Sequence, residues 1–228
     1  MKMETSMNKF GLLLILSISS AAWAGTASIG TTLQTQGSAY RMNGTSRQPL
    51  QSGTPLFEGD ELVTENASTA KILLGGNVAI LLKPGSHFKI HQPNHQDWLV
   101  TLDSGAALSV VRNPKKRPAF FSVRSHGATL GVRGTTFFVQ TKSERTLFLC
   151  TCHGSVSIAG DNSSKPELIV KTGHHESPKL ITLNDAGSPA KIEEAPMGGD
   201  HDDADEADLV RLRDQSDLHN GHARTPGP

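Results

Sequence analysis

The sequence lacks any excess of charge, because 22 lysines and arginines balance 22 aspartates and glutamates. A balanced chain exerts no overall attraction on nucleic acid, so we expect no nucleic-acid partner. The balance hides a basic segment at residues 114–118 and an acidic one at 193–217. We interpret the basic segment as a solvated loop between strands. Contact with an anionic partner, such as the chain's own acidic tail, is the alternative.

The sequence also lacks an apolar run long enough to span a membrane. Its N-terminal run, Phe10–Ile18, falls short of the ~20 residues that a spanning helix needs. Lys9 precedes this run, and an A-x-A cleavage signal follows it at 22–24. We predict a signal peptide over residues 1–24, with an uncleaved anchor as the alternative. After cleavage no transmembrane segment is expected, and the protein should be periplasmic or secreted, where thiols tend to oxidise.

Recognisable catalytic motifs are missing as well. The sequence contains no phosphate-binding loop, no nucleophile elbow and no H-E-x-x-H pattern. Serine, histidine and aspartate are plentiful, but no pair of them stands in a recognisable catalytic context. These absences predict that the protein is not an enzyme.

Helical periodicity is missing between Thr26 and Leu183, where short β-prone runs alternate with turn residues instead. The residues Ala70 and Ile72, for example, alternate with polar neighbours before a Gly-Gly-Asn turn. This pattern predicts one all-β domain over residues 25–185, built as a β roll, a sandwich or an irregular β-solenoid. No strict repeat occurs, so a regular solenoid with a fixed motif is not supported.

The remaining residues, 186–228, form an acidic C-terminal extension. Apolar residues around Leu209, with Asp202 or Asp203 available as an N-cap, predict one short helix over about 202–214. The end of the chain has no apolar pattern and is predicted to be disordered.

Two parts of the β region together resemble a known family. The first is LQSGTPLFEGDELVTENASTAKILL at residues 50–74. The second is FFSVRSHGATLGVRGTTFFVQ at 120–140, followed by TLFLCTCHGSVSI at 146–158. In this order they resemble the FecR-like domain family, and the Val-Arg-Gly-Thr-Thr-Phe element at 132–137 is the most specific part. The resemblance covers roughly residues 37–158.

This resemblance implies a β-rich, non-catalytic domain that is periplasmic or faces the cell surface. The founding members of the FecR-like family relay an iron-siderophore signal across the inner membrane to a sigma factor. They do so with an N-terminal cytoplasmic segment and a membrane helix, whereas this sequence shows only an export signal there. Since a fold does not confer a function, we expect the fold without that relay. The expected function is a periplasmic interaction or sensory module, with an envelope protein or another cell-envelope component as its partner.

The Gly-Val-Arg-Gly-Thr-Thr-Phe element is interpreted as a corner of the core rather than as a ligand site. Its glycines allow close backbone approach or a positive φ angle. Phe137 and Phe138 are neighbours on a predicted strand, so their side chains point to opposite faces. One of the two must therefore meet a second packing surface or solvent.

Cysteine is nearly absent, and the two that occur, Cys150 and Cys152, stand together in LCTCHG. Haem attachment uses C-x-x-C-H, so the C-x-C-H spacing argues against a c-type haem. Residues two apart on a strand are separated by roughly 7 Å, whereas a disulfide brings Cβ atoms to about 3.8 Å. An internal disulfide would therefore need a bulge or turn, which Gly154 could host. An intermolecular disulfide, or two thiols protected by burial or by a metal, are the alternatives.

The sequence leaves open which face of the strand carries the two thiols. Simple alternation places Cys150 and Cys152 in the core, on the same face as Val156. The family pattern instead places Leu149 in the core and requires a bulge near Gly154 that resets the alternation before Val156. In that register both thiols face out of the core together.

Histidines that could join the thiols in a metal site lie on the strand itself and downstream. The candidate metal ligands are therefore Cys150, Cys152, His153, His174, His175 and His201. Thiolate and imidazole together suit zinc, copper or iron. A metal-binding or thiol-redox protein is thus the alternative to a plain interaction module, and a bound metal would order the C-terminal extension.

Each candidate ligand also has a purely structural interpretation. The cysteines could serve in packing or a disulfide. His174 and His175 could form an exposed turn after Gly173, and His201 could lie in a solvated acidic segment beside the helix. Because adjacent residues diverge on a strand, only one of His174 and His175 is expected to reach the thiols.

Overall fold

The structure is a computed structural model that describes residues 27–92, 94, 97–112, 120–132, 134–160, 163, 165–185, 188–196 and 201–221. The predicted signal peptide and the basic segment at 114–118 lie outside the described residues. In the part of the chain that is described, no helix is both long and apolar enough to cross a membrane.

The described residues form 17 β-strands and one C-terminal helix, which confirms the predicted all-β class. The strands are β1 (Gly30–Gln36), β2 (Ala39–Asn43), β3 (Ser46–Pro49), β4 (Pro55–Leu56), β5 (Glu61–Thr64), β6 (Thr69–Leu74), β7 (Val78–Leu82), β8 (His87–His91), β9 (Trp98–Ser104), β10 (Ala106–Val111), β11 (Phe121–Ser125), β12 (Ala128–Val132), β13 (Thr136–Ser143), β14 (Thr146–Gly160), β15 (Leu168–Thr172), β16 (Lys179–Leu183) and β17 (Pro189–Glu194). The helix is α1 (Asp203–Gly221).

The strands belong to one open hydrogen-bonded network that folds into two layers sharing β14. The first layer has the order β4-β1-β6-β7-β10-β13-β14-β16-β17. The second has the order β3-β2-β5-β8-β9-β11-β12-β14-β15. Among the strand pairs described, only β9 and β11 run parallel. The 15-residue strand β14 therefore carries the chain from one layer to the other.

Strand β14 bends next to the two cysteines. Thr151 pairs with Phe137 and His153 with Thr136, so Cys152 is an extra residue with no partner opposite it on β13. The bulge resets the alternation, and the prediction of such a reset near Gly154 is confirmed.

Two apolar clusters lie on opposite faces of the first layer. The main core fills the space between the layers and includes Leu149, Val156 and Phe137, all fully buried. The outer cluster lies on the other face, and its members are Leu73, Ala79, Leu81, Ala106, Leu108, Val110, Phe138, Phe148, Cys150, Cys152 and Leu209. Phe137 and Phe138 therefore do point to opposite faces, and the second packing surface is the one that carries the cysteines.

Helix α1 packs over β7 and β10 and supplies Leu209 to the outer cluster. Asp202 caps the helix, because its Oδ1 accepts a hydrogen bond of 2.9 Å from the backbone N–H of Asp205. Two lysines from the sheet side pair with carboxylates of the helix: Lys83 pairs with Asp205 at 3.0 Å, and Lys71 pairs with Asp208.

The predicted boundaries of the C-terminal extension differ from the observed ones. Strand β17 follows residue 185 and pairs with β16, so the sheet continues into the segment that was assigned to the extension. The helix runs to Gly221 instead of ending near residue 214, so part of the expected disordered end is helical. Extending a helix that has already begun fixes one residue per added hydrogen bond, so few further contacts are needed. Residues 222–228 lie outside the described part.

Candidate metal centre

The two thiols lie side by side on the outer face of the first layer. Cys150 and Cys152 belong to the outer cluster, are 1% and 0% exposed, and form no disulfide. They face out of the main core, as the register inferred from the family pattern predicts. Their burial comes from what covers them, which is the segment after β15 and the start of α1.

His175 reaches the thiols from the segment that follows β15. Its backbone N–H donates a hydrogen bond of 3.1 Å to the carbonyl oxygen of Cys152, which anchors this segment to β14. Its ring Nδ1 lies 3.2 Å from the Sγ of Cys150. His175 has a backbone φ angle of 44°, in the left-handed region that residues other than glycine rarely adopt. Such conformations concentrate at functional sites, where neighbouring contacts hold them in place.

His201 reaches the thiols from the other side, just before α1. Its Nε2 lies 3.6 Å from the Sγ of Cys152. Its ring stacks on Phe138 with a centroid distance of 4.2 Å and an interplanar angle of 14°. The phenylalanine therefore fixes the plane of the imidazole, so that its Nε2 is directed at the thiol.

The four side chains converge on one point between the sheet and the helix. One ligand atom from each of Cys150, Cys152, His175 and His201 lies within 4.8 Å of all the others. In a tetrahedral zinc site with bonds of about 2.0–2.3 Å, ligand atoms are separated by roughly 3.3–3.8 Å. The distances of 3.2 and 3.6 Å between thiol and imidazole are close to that range. The arrangement has the size and the donor set of a Cys2His2 metal site.

The other two predicted ligands do not join this group. His153 is exposed, and its Nδ1 lies 3.0 Å from the carbonyl oxygen of Gly173, away from the thiols. His174 is 68% exposed, and its Nε2 lies 3.9 Å from an oxygen of Asp203. Only one of the two adjacent histidines thus faces the cysteines. His174, His175 and Asp203 do form a second, more exposed group whose ligand atoms lie within 4.8 Å of one another.

Glu206 was not predicted from the sequence, yet it borders the site. Its Oε1 lies 3.1 Å from the Nε2 of His175, on the side of the ring opposite Cys150. Both atoms are buried, and the Nε2 of His175 also lies 3.3 Å from an oxygen of Asp203. Metal-binding histidines usually direct their second nitrogen at such a carboxylate. The spacing of Asp203 and Glu206, which puts both on one helix face, is the sequence signal that could have indicated it.

The contacts within the group shift the pKa values of the two thiols in opposite directions. A hydrogen bond from Cys152, with others from His201 and His175, lowers the pKa of Cys150 to about 4. The same pairing with Cys150, together with burial and the nearby Glu206, raises the pKa of Cys152 above its usual range. Burial lowers the pKa of His175, but its contacts with Cys150 and the acidic residues of α1 outweigh burial and raise it overall. The contacts therefore favour the thiolate form of Cys150 over that of Cys152.

Comparison with known proteins supports the family that the sequence motifs indicated. Residues 60–157 match the family model described as FecR protein. No curated protein matches the chain. Two solved structures, at 2.50 and 1.65 Å resolution, belong to a candidate anti-sigma factor from Parabacteroides distasonis ATCC 8503. Each is 18% identical with a TM-score of 0.44 over 59% of this chain, and this chain spans 59% of its length.

The family match contains half of the thiol–imidazole group. Cys150 and Cys152 lie inside residues 60–157, whereas His175 and His201 lie beyond that range. The match also begins later than the expected start near residue 37. Residues 60–157, which lie in the all-β part of the chain, therefore match the FecR family model.

Proposed function

We propose that this protein is an exported, non-enzymatic FecR-domain sensor whose signal is a transition metal. The proposed ligands are Cys150, Cys152, His175 and His201. The observation that carries the proposal is the convergence of these four side chains, within 4.8 Å, from three separate segments of the chain. The FecR family supports the coarser statement that the domain is regulatory or sensory.

Zinc fits this donor set best among the three metals that thiolates and imidazoles suit. Two sulfur and two nitrogen ligands in a tetrahedral arrangement are typical of zinc. Copper and iron are the competitors that a metal assay must include. The burial of both thiols and the short distances between ligand atoms favour a small, four-coordinate ion.

A closed site of this kind supports a non-catalytic role. Catalytic zinc sites have three protein ligands and keep the fourth position open for water or substrate. Here four side chains are available, and they lie beneath a helix. A metal held by four protein ligands stabilises the structure around it instead of activating a substrate. A change of structure on metal binding is the property that a sensor needs.

The proposal also includes a cellular location and a binding partner. The predicted signal peptide at 1–24 supports a periplasmic or secreted location, where metals from outside the cell arrive first. The partner is proposed to be an envelope protein or another component of the cell envelope, since the family is regulatory. Pull-downs from envelope extracts, with and without metal, test this part independently of the metal site.

Metal analysis of the purified protein tests the metal site. Protein prepared under reducing conditions and equilibrated in separate samples with zinc, copper or iron should retain one zinc per chain in the zinc sample. Cys150→Ser, Cys152→Ser, His175→Ala and His201→Ala should each lower the retained zinc by at least tenfold. His153→Ala and His174→Ala are the matched controls and should retain zinc as the unaltered protein does. A protein that retains no metal, or controls that lose it equally, would contradict the proposal.

A thiol-redox function is the second candidate, favoured by the lowered pKa of Cys150 and by a sulfur neighbour within 4.8 Å. Disulfide formation from the Cys150 thiolate and the Cys152 thiol would release one proton and pass two electrons to a disulfide or quinone oxidant. Burial of both thiols opposes it, because reactive cysteines are usually partly exposed. If mass spectrometry finds the internal Cys150–Cys152 disulfide in protein taken directly from the periplasm, the redox function replaces the metal site.

A further inference from the structure

We infer that metal binding and the docking of helix α1 are linked, so that α1 is a metal-dependent cover over the outer cluster. The inference rests on the proposed metal site and adds how that site is read out. Its basis is that the site joins two parts of the chain that otherwise contact each other weakly.

The helix has few contacts of its own that would hold it on the sheet. Among its described side chains, Leu209 is the only fully buried apolar one, and Val210 is partly buried. Its ion pairs with Lys71, Lys83 and Arg112 are partly exposed, and contact with water reduces what each contributes. A helix of 19 residues in a protein also owes most of its stability to tertiary packing. The docked position therefore depends on a further interaction.

The metal site supplies that interaction because its ligands come from both sides. Cys150 and Cys152 belong to β14, and His175 is tied to β14 through its backbone hydrogen bond to Cys152. His201 lies two residues before α1 begins, and Glu206 contacts His175 from the first two turns of the helix. An ion bound by these residues would connect the start of α1 to the sheet through a ligand and through the orienting carboxylate.

Release of the helix would expose an apolar face. Beneath α1 lie side chains of β7 and β10 such as Leu81 and Leu108, and Phe138 lies beside them under His201. Contiguous apolar surface of this kind marks an interaction site when it becomes exposed. The metal-bound state keeps the face covered by α1, and the metal-free state opens it. The occupancy of the site is thereby converted into the accessibility of a surface.

Hydrogen–deuterium exchange of the full chain tests the linkage, with zinc as the probe. Zinc should slow exchange in the amides of 205–214 by at least tenfold relative to chelator-treated protein. Exchange in β8, which lies in the second layer between β5 and β9, should not change. If one zinc binds per chain while exchange in α1 stays the same, the linkage is wrong and the proposed sensor site stands. If no zinc binds, the proposed function and the linkage both fail.

Reciprocity provides a second test through residues that do not bind the metal. Leu209→Ala weakens the docking of α1 but leaves all four proposed ligands in place, so it should lower zinc affinity. If the substitution frees the helix completely, the loss in zinc affinity should equal the factor by which zinc slows hydrogen exchange in α1, because the coupling is reciprocal. Glu206→Gln should lower zinc affinity by about 10- to 100-fold, as is typical when the carboxylate that orients a ligand is lost. Ala207→Ser, on the exposed side of the helix, is the control and should change neither quantity. Unchanged zinc affinity in Leu209→Ala would overturn the inference.

Discussion

At the residue scale, the bend that separates the thiols from the main core depends on Gly154. Its φ is 105°, and an added Cβ would lie 3.0 Å from the Gly134 carbonyl oxygen and from the Thr135 hydroxyl. The Thr135 hydroxyl also donates a hydrogen bond of 2.9 Å to the carbonyl oxygen of Ser155. The glycine and the Gly-Thr corner of the family motif thus fit together.

Gly154→Ala is therefore expected to destabilise the protein, by about 1–3 kcal/mol, because the strained backbone and the close contacts both oppose the new methyl group. Urea unfolding measures the free energy of unfolding. Gly173→Ala is the control, since a Cβ there meets only the Oε1 of Glu176, at an ordinary 3.5 Å. Equal losses of stability in the two variants would contradict this role of Gly154.

The lowered pKa of Cys150 leads to a pH prediction for the metal-free, reduced protein. A thiol with a pKa of about 4 is ionised above that pH, so the thiolate absorbance in the ultraviolet should already be present at neutral pH. It should disappear as the pH falls through that pKa, and Cys150→Ser should remove it. A titration midpoint near the ~8.5 of a free thiol would refute the prediction.

At the element scale, β13 divides its two phenylalanines between the two apolar clusters. Phe137→Ala removes a side chain from the main core and should cost about 3–5 kcal/mol in urea unfolding, with little change in the zinc affinity of the folded protein. Phe138→Ala removes the ring on which His201 stacks, so it should lower zinc affinity more than Phe137→Ala does. Zinc titrations of both variants check this, and equal affinities would show that the stacking is irrelevant.

Much of this architecture could be predicted at the level of elements. Alternation of apolar residues indicated the strands. For the thiols the sequence left two registers open, and the one taken from the FecR-like pattern, with both thiols facing away from the main core, is the one observed. The length of α1 and the presence of β17 could not be predicted, because both depend on contacts with the folded sheet. Strand β17 carries little apolar alternation and is held by its pairing with β16.

The candidate site shows the same division. The residue types of Cys150, Cys152, His175 and His201 suggested a metal site. Which histidines reach the thiols could not be known, because His175 and His201 are 25 and 49 residues away from their cysteine neighbours in sequence. That His175 and not His174 faces the thiols depends on the left-handed φ angle of His175. Glu206 was missed because an acidic helix usually indicates a solvated surface.

At the scale of the whole molecule, the FecR-like region and the segments that follow it contribute different residues to the candidate metal site. The FecR match at 60–157 contains the two thiols, and the segments that follow it contain both histidines and the helix. The strands provide a rigid surface on which the thiols are fixed. In the proposed function, the extension is the part whose position a bound metal controls.

X-ray absorption spectroscopy at the zinc edge, on the reduced full-length protein loaded with one equivalent of zinc, tests the central claim most directly. The account predicts four-coordinate zinc with two sulfur ligands at about 2.3 Å and two imidazole nitrogens at about 2.0–2.1 Å. In His175→Ala and in His201→Ala one imidazole should be lost, while His174→Ala should leave the spectrum unchanged. Zinc bound only by oxygen and nitrogen, with no sulfur in its shell, would contradict the account.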